Sequence, residues 1–227
     1  MLRIALFAEG YTDQVVIEQI LLGGLMLDEE PAITFVQPLA PGPSANGSYA
    51  PGGWTVLFDA LRAGEHRKAL QANDLIVLHV DTDVCDQIGF GVHRVDDPEA
   101  LAASVQAKLC DLLGADFCAD HGDKVVFAIA VDEVECWFLP LLFADLPAKR
   151  RKTTGCLQAV DRELGRREQP RLLRADSKQP AAYRALAREF GDAKKLARCA
   201  SMNPSLGRFF TAWQAWQSEF GALMTAR

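Results

Sequence analysis

Two aspartates that follow an apolar segment are the residues of this sequence best placed for chemistry. The segment Leu75 to Asp83 reads LIVLHVDTD, and its near-continuous apolar run is typical of a strand buried on both faces of a parallel sheet. A strand places Asp81 and Asp83 on the same side, at the carboxyl end where open α/β sheets bind ligands. Two anions so close repel each other unless a cation lies between them, so the pair predicts a divalent metal site.

Acidic residues also follow two other predicted strands. The apolar stretch from Leu2 to Ala8 runs into Glu9, and the stretch from Lys124 to Val131 runs into an acidic segment that includes Glu133 and Glu135. Because the carboxyl ends of parallel strands meet at one edge of a sheet, Glu9 and the two aspartates are expected to converge there. Mg²⁺ prefers oxygen ligands and keeps several waters, so an open crevice lined by carboxylates suits it.

A helix is expected directly after Glu9. Thr12 is its predicted N-cap, Asp13 lies in its first turn, and Gly23-Gly24 ends it. The free backbone N–H groups at the start of such a helix suit a phosphate oxygen or a water bound to a metal.

The acidic segment after the last strand is interpreted differently. Asp132 is predicted to act as the N-cap of a helix from Glu133 to Leu146, which Pro140 should kink or shorten.

The remaining predicted elements of the first two thirds of the chain are a strand at Ile33–Leu39, a long loop at Pro38–Gly53, and helices at Trp54–Leu70 and Pro98–Leu113.

Composition limits the class of protein. The chain has 227 residues, of which 49% are apolar, enough for one α/β domain with a smaller addition. No apolar run reaches the roughly 18 residues of a membrane span, and the N-terminus does not read as a signal peptide, so a cytoplasmic protein is expected, with no membrane partner. The six cysteines form no C-x-x-C pair, which argues against zinc and favours reduced thiols.

The charge is divided unevenly along the chain. Residues 1 to 148 carry a net charge of −16, whereas residues 149 to 198 carry +9. A basic surface separate from a metal site is what a polyanionic substrate such as nucleic acid requires, although the same residues can simply coat solvated helices. The candidates for phosphate contacts, chosen on charge density alone, are Lys149, Arg150, Arg151, Lys152, Lys178, Lys194 and Lys195.

The last third of the chain is predicted to be helical. Apolar residues at helical spacing indicate three amphipathic helices, the last of which begins at Asn203-Pro204 and carries an aromatic stripe. This stripe is interpreted as a packing face rather than as a base-stacking surface. The predicted organisation is therefore an α/β metal-binding domain at residues 1–147 with a basic helical appendage at residues 148–227 packed on it. His79, inside the central strand, is interpreted as a satisfied core histidine.

Three motifs together resemble a known family. F-A-E-G-Y-T-D spans Phe7 to Asp13, D-T-D spans Asp81 to Asp83, and E-V-E-C-W spans Glu133 to Trp137. Their order, spacing and strand context resemble the topoisomerase–primase (TOPRIM) fold, and more narrowly its small stand-alone bacterial group, whose third motif reads E-x-W. The resemblance covers roughly residues 1 to 145 and implies a TOPRIM-like, Rossmann-like and mostly parallel sheet flanked by helices.

The resemblance also implies an activity and a set of site residues. In TOPRIM nucleases the corresponding carboxylates bind Mg²⁺ (or Mn²⁺) and support phosphodiester chemistry, which implies catalytic and metal-binding roles for Glu9, Asp81 and Asp83. The Glu of E-x-W, here Glu135, completes the site in the stand-alone group, and Glu133 is counted as a further metal ligand. Departures from the topoisomerase pattern, including the absence of a recognisable nucleophilic Tyr, argue against topoisomerase activity.

Other functions remain open on the sequence. The segment LIVLHVDTDV also matches the haloacid-dehalogenase phosphatase signature, in which Asp81 would accept a phosphoryl group and Asp83 would be the general acid. A non-catalytic TOPRIM-like scaffold is the third candidate. The family's association with phage defence and mobile elements implies a partner protein from such a system, and a homo-oligomer is an alternative.

Overall fold

Four apolar segments form the central sheet of the protein. The structure is a computed structural model that describes residues 1–39 and 51–225. The strands are β1 (Arg3–Phe7), β2 (Ala32–Gln37), β3 (Leu75–Asp81) and β4 (Val125–Ala130). All pairings are parallel, and the strand order is β2-β1-β3-β4. The architecture is therefore α/β and Rossmann-like, with a parallel sheet flanked by helices, as the sequence predicts.

Burial explains why these segments form strands. Every residue of β3 is buried, and so are four of the five residues of β1. Strands covered on both faces bury every side chain, which accounts for continuous apolar runs instead of alternation. In the register, Ile4 lies opposite Leu75, and Asp81 lies opposite Ala130. The carboxyl ends of β1, β3 and β4 therefore lie side by side at one edge.

Helices cover both faces of the sheet. One face packs against helices from the middle of the chain, and the other packs against the first helix and most of the C-terminal third. The helices of the first group are α2 (Trp54–Arg62), α3 (Glu65–Ala72), α4 (Pro98–Leu113) and α5 (Ala115–His121). On or near the opposite face lie α1 (Tyr11–Gly23), α6 (Leu139–Leu142), α7 (Pro147–Arg150), α8 (Cys156–Arg166), α9 (Pro180–Ala187), α10 (Ala193–Ala200) and α11 (Pro204–Thr225).

Short elements complete the chain. Three 3₁₀-helices cover Gly122–Lys124, Val134–Phe138 and Arg188–Gly191. A two-stranded antiparallel hairpin, with β5 at Leu173–Arg174 and β6 at Ser177–Lys178, precedes α9. The sequence analysis predicted neither this hairpin nor α10.

Several predicted boundaries are confirmed and others are wrong. Helix α4 has the predicted ends, and the Asp97 side chain accepts a hydrogen bond from the Glu99 N–H at 3.2 Å. The single helix predicted at Trp54–Leu70 is two helices, because Gly64 adopts a left-handed conformation with φ of 77° between them. Most of the loop predicted at Pro38–Gly53 lies outside the described residues, which omit 40–50.

Two predicted N-caps are also wrong. Helix α1 begins after Gly10, whose backbone takes the cap position, while the Thr12 hydroxyl donates to Asp13 Oδ1 at 3.3 Å. Asp132 has a left-handed backbone with φ of 68°, so it cannot lead into an α-helix in the usual extended cap conformation. The helix predicted to follow it is replaced by the 3₁₀-helix Val134–Phe138 and the short α6.

The aromatic stripe of the last helix packs inward, as expected. Phe209 stacks on Trp137 with ring centroids 5.8 Å apart, and the Trp213 indole N–H donates to the Leu21 carbonyl at 3.1 Å. Residues of α8 to α11 share one core cluster with β1, β3, β4 and α1. Within the described ranges, no helix is both long enough and apolar enough to cross a membrane.

One cysteine pair departs from the expectation of reduced thiols. Cys136 and Cys156 form a disulfide bond, while Cys85, Cys110, Cys118 and Cys199 are free. The bond joins the 3₁₀-helix after β4 to the start of α8. It therefore ties the segment that carries Glu135 to the C-terminal third of the chain.

Candidate metal centre

Carboxylates from four places in the chain gather where β1, β3 and β4 end. Glu9 follows β1, Asp13 lies in the first turn of α1, Asp81 ends β3, and Glu135 lies in the 3₁₀-helix that follows β4. We call Glu9, Asp13, Asp81 and Glu135 the carboxylate cluster. The parallel register places these strand ends at one edge, so the fold itself brings the four side chains together.

Glu9 bridges the first two strands. Its Oε1 accepts a hydrogen bond from the backbone N–H of Asp81 at 2.9 Å. Burial, followed by the charges of Asp81 and Asp13, raises the pKa of Glu9 to about 8. The Gly53 N–H donates to the Glu9 carbonyl at 2.7 Å, which holds the backbone before α2 against this strand end.

Asp81 and His79 form a buried pair on the central strand. The His79 Nε2 lies 3.4 Å from Asp81 Oδ1, and the ring Nδ1 lies 2.6 Å from the Ala128 carbonyl. Burial raises the pKa of Asp81 to about 7, although His79 opposes that rise. Burial by itself lowers the pKa of His79, but the interaction with Asp81 dominates and raises it to about 9.

Asp13 completes a group of three potential ligands. Asp13, His79 and Asp81 each offer one ligand atom, and these three atoms lie within 4.8 Å of one another. All three residues are buried. Burial raises the pKa of Asp13, while Lys178 and His79 partly offset this effect. Asp13 lies in the first turn of α1, which begins two residues after Glu9.

Glu135 is the most enclosed member of the cluster. Its side chain is fully buried, and its Oε1 accepts from the Lys178 ammonium at 2.8 Å and from the Tyr183 hydroxyl. Burial and the charge of Glu135 raise the pKa of Tyr183. Although burial alone lowers the pKa of Lys178, the carboxylates of Glu135, Asp13 and Asp81 raise it above its ordinary value.

Glu133 lies beside the cluster and is tied to α8. Its Oε1 accepts a hydrogen bond from the Leu157 backbone N–H. Burial, followed by the charge of Glu135, raises the pKa of Glu133 to about 7. Since Leu157 directly follows Cys156, the disulfide and this hydrogen bond hold the two segments at the same place.

Asp83 lies at the exposed rim of the site. Strand β3 ends at Asp81, so the alternation that would place both aspartates on one side does not continue, and Asp83 is exposed. Partial burial and the charge of Asp132 raise the pKa of Asp83. The Asp83 and Thr82 N–H groups donate to the Asp132 carbonyl, both at 2.9 Å, and Arg94 pairs with the Asp132 carboxylate at 3.0 Å.

The predicted basic residues lie in different surroundings. Lys149 lies over the Phe143 ring at 5.0 Å, while Arg150, Arg151 and Lys152 line a cavity of about 340 Å³ beside the start of α11. The remaining three are Lys194, which is exposed on α10, Lys195, which pairs with Glu189, and Lys178, which reaches into the carboxylate cluster.

The sequence did not assign four of these residues to the metal site. They are Asp13, His79, Tyr183 and Lys178, which was predicted to contact phosphate instead. The position of Asp13 was accessible, because a helix that starts at a strand end presents its first turn to the same edge. No local pattern predicts that Lys178 or Tyr183 contacts Glu135, since both reach the cluster from beyond residue 170 through the packing of the C-terminal third.

The donor set fits a divalent cation. Glu135 Oε2 is buried and has no hydrogen-bond partner within the described residues, and Asp81 Oδ1 and His79 Nε2 have only each other, at 3.4 Å. Buried polar atoms are normally satisfied, so these atoms can accept a further ligand. Carboxylate oxygens suit Mg²⁺ and Mn²⁺, and the imidazole nitrogen favours Mn²⁺ over Mg²⁺.

Comparisons of the chain with models of protein families, with curated proteins and with solved structures found no match.

Proposed function

We propose that this protein is a divalent-metal-dependent nuclease of the TOPRIM type, or a closely related phosphodiester-processing enzyme. The observation that carries the proposal is the gathering of Glu9, Asp13, Asp81 and Glu135 at the ends of three parallel strands, where Glu135 Oε2 has no hydrogen-bond partner in the part of the chain that the structure describes. The order of the E-G, D-x-D and E-x-W motifs along the chain supports the same assignment.

The residues of the cluster have distinct tasks in this proposal. Asp81, Asp13 and His79 would hold the cation, and Glu135 would supply a further oxygen through Oε2. A cation bound there would supply an activated water and stabilise the leaving oxygen of a phosphodiester. Glu9 fixes the end of β3 through the Asp81 N–H and, once deprotonated, can accept a proton at the site.

Nucleic acid is the substrate class that the charge distribution favours. Arg150, Arg151 and Lys152 line a cavity beside the start of α11, and their charges give this surface a positive potential. A polyanion that binds there is held by the phosphate backbone, so its affinity falls as salt rises. The exposed Asp83 stands at the rim, where it meets substrate before the buried carboxylates do.

The test is cleavage of plasmid, single-stranded DNA and RNA with Mn²⁺ or Mg²⁺ by four proteins. These are the wild type, Glu9→Gln, Asp81→Asn and Asp59→Asn, whose carboxylate on α2 is 75% exposed and pairs with Arg62. We expect only the wild type and Asp59→Asn to cleave the substrates, and we expect their activity to disappear when the metal is chelated. Cleavage that survives Asp81→Asn would overturn the proposal.

A phosphatase is the second candidate, and one observation favours it. The Lys178 ammonium acts on Asp81 electrostatically, and a downstream lysine beside the nucleophilic aspartate is what the phosphatase signature requires. The carboxylates of Glu9 and Asp13 oppose this function, because they repel an incoming phosphate dianion. Hydrolysis of a small aryl phosphate separates the two: a phosphatase keeps this activity in Glu9→Gln and loses it in Asp81→Asn.

A further inference from the structure

Lys178 brings a positive charge into the middle of the carboxylate cluster. Its ammonium lies 2.8 Å from Glu135 Oε1, and it interacts electrostatically with Asp13 and Asp81 as well. Of these carboxylates, Glu135 has a second buried oxygen, Oε2, that lacks a hydrogen-bond partner among the described residues. The lysine therefore supplies the charge that a bound cation would supply.

The element that carries Lys178 is small and exposed. Strands β5 and β6 pair over only two residues each, and Ala175 and Asp176 form the turn with left-handed backbones at φ of 47° and 61°. Two hydrogen bonds hold the base of this hairpin. The Leu173 N–H donates to Asp161 Oδ1 at 2.9 Å, and the Gln179 N–H donates to the Leu172 carbonyl at 2.8 Å.

Lys178 itself lies at the base of this hairpin, where it pairs with Leu173. The hydrogen bonds of Leu173 and Gln179 therefore hold its backbone in place, while its side chain is 39% exposed. A rotation of this side chain toward solvent needs no movement of the core. It breaks the ion pair with Glu135 and takes the ammonium away from the Tyr183 ring, whose centroid lies 5.6 Å from it.

We propose that Lys178 is a tethered cation that occupies the carboxylate cluster in the metal-free protein and leaves it when a divalent metal binds, so that its side chain turns out to the rim as the site is loaded. This inference rests on the proposed function and concerns its regulation. A divalent cation and an ammonium a few ångströms apart repel each other strongly in a buried site, so the two do not share the cluster. The released ammonium stays at the rim, where it meets a polyanionic substrate.

The first test uses the wild-type protein. Lysines are labelled with an amine-acetylating reagent, with and without saturating Mn²⁺, and the extent of labelling is read by peptide mass spectrometry. Paired with Glu135, Lys178 should label slowly without metal and several-fold faster with it. Lys194, which is exposed on α10, is the internal control and should label equally in both conditions.

The second test uses variants and calorimetry. Removing one positive charge from the cluster in Lys178→Met should tighten Mn²⁺ binding by about tenfold, equivalent to about 1.4 kcal/mol. The matched variant Lys194→Met should bind as the wild type does. If wild type binds Mn²⁺ but Lys178 labelling does not change, the inference fails and the proposed function stands. If neither wild type nor Lys178→Met binds Mn²⁺, the proposed function fails and the inference falls with it.

Discussion

At the scale of single residues, protons take the place of a cation in the metal-free site. The pKa of Glu9 is raised to about 8 and that of Asp81 to about 7, chiefly by burial. Both groups therefore carry protons for part of the time near neutral pH. A metal ion requires them ionised, so loading the site must release protons.

Metal affinity should therefore depend on pH. We expect Mn²⁺ binding to tighten between pH 6 and pH 9, and at pH 7 each binding event should release on the order of two protons, because the His79 ligand, with its pKa raised to about 9, must lose one as well. Calorimetry in two buffers with different heats of ionisation measures this number directly. A pH-independent affinity without proton release would mean that Glu9 and Asp81 are not ligands or neighbours of the metal.

As pH rises, the stability of the metal-free protein should fall, whereas its affinity for metal should rise. Raised pKa values of Glu9, Asp81 and His79 mean that the folded state binds more protons than the unfolded state. Stability is then greatest below the unfolded pKa values and falls as pH rises toward about 9. Urea unfolding at several pH values measures the slope, and Glu9→Gln should flatten it between pH 5 and pH 8.

The sequence predicted part of this residue-level organisation. Glu9 and Asp81 were found because apolar strands run directly into them, which is a local signal. Asp83 was predicted to share the side of Asp81, but the strand ends at Asp81, two residues before Asp83, so the alternation does not reach it. His79 was expected to be satisfied in the core, and it is buried, but its Nε2 lies beside Asp81 at 3.4 Å and so belongs to the site.

At the scale of elements, two short connections position the last acidic residues. The 3₁₀-helix Val134–Phe138 carries Glu135, and the disulfide from Cys136 to Cys156 fastens it to α8. Local propensity predicts an α-helix here, but the left-handed Asp132 turns the chain back across the end of β3. Its carbonyl then bonds the Thr82 and Asp83 N–H groups, a constraint that no local pattern reveals.

Removing the disulfide should destabilise the protein without changing its fold. The two cysteines are 20 residues apart, and the release of a loop of this length in the unfolded chain corresponds to about 3 kcal/mol. Chemical unfolding of a Cys136→Ala, Cys156→Ala double variant measures the loss. Wild type treated with a dithiol reductant should lose the same amount, and a loss below about 0.5 kcal/mol would show that the bond adds little constraint.

Helix α1 should be sensitive at its last residue. A Cβ added to Gly23 would lie 1.8 Å from the Phe190 carbonyl oxygen, so Gly23→Ala should cost about 2 kcal/mol through overpacking. Gly122, where an added Cβ meets nothing within 4 Å, is the matched control and should tolerate alanine. Equal stability of the two variants in denaturant unfolding would contradict this close approach.

At the scale of the whole molecule, the acidic and basic parts of the chain build one site together. Glu135 precedes the basic region, whereas its partners Lys178 and Tyr183 belong to it. The sequence predicted a helical C-terminal third and the inward packing of its aromatic stripe, since amphipathic spacing is visible locally. It did not predict that this third reaches the carboxylate cluster, because pairing across more than 40 residues leaves no periodic signal.

The most direct measurement is a calorimetric titration of Mn²⁺ into the wild type, Asp81→Asn and Asp59→Asn at pH 8. Changes to outer-shell residues weaken metal binding by about 10- to 100-fold, so loss of a ligand at Asp81 should weaken it by more than about 100-fold. Asp59→Asn should bind as the wild type does, because its carboxylate lies on the surface of α2. Equal binding by wild type and Asp81→Asn, or no binding by any of the three, would contradict a metal centre at this edge of the sheet.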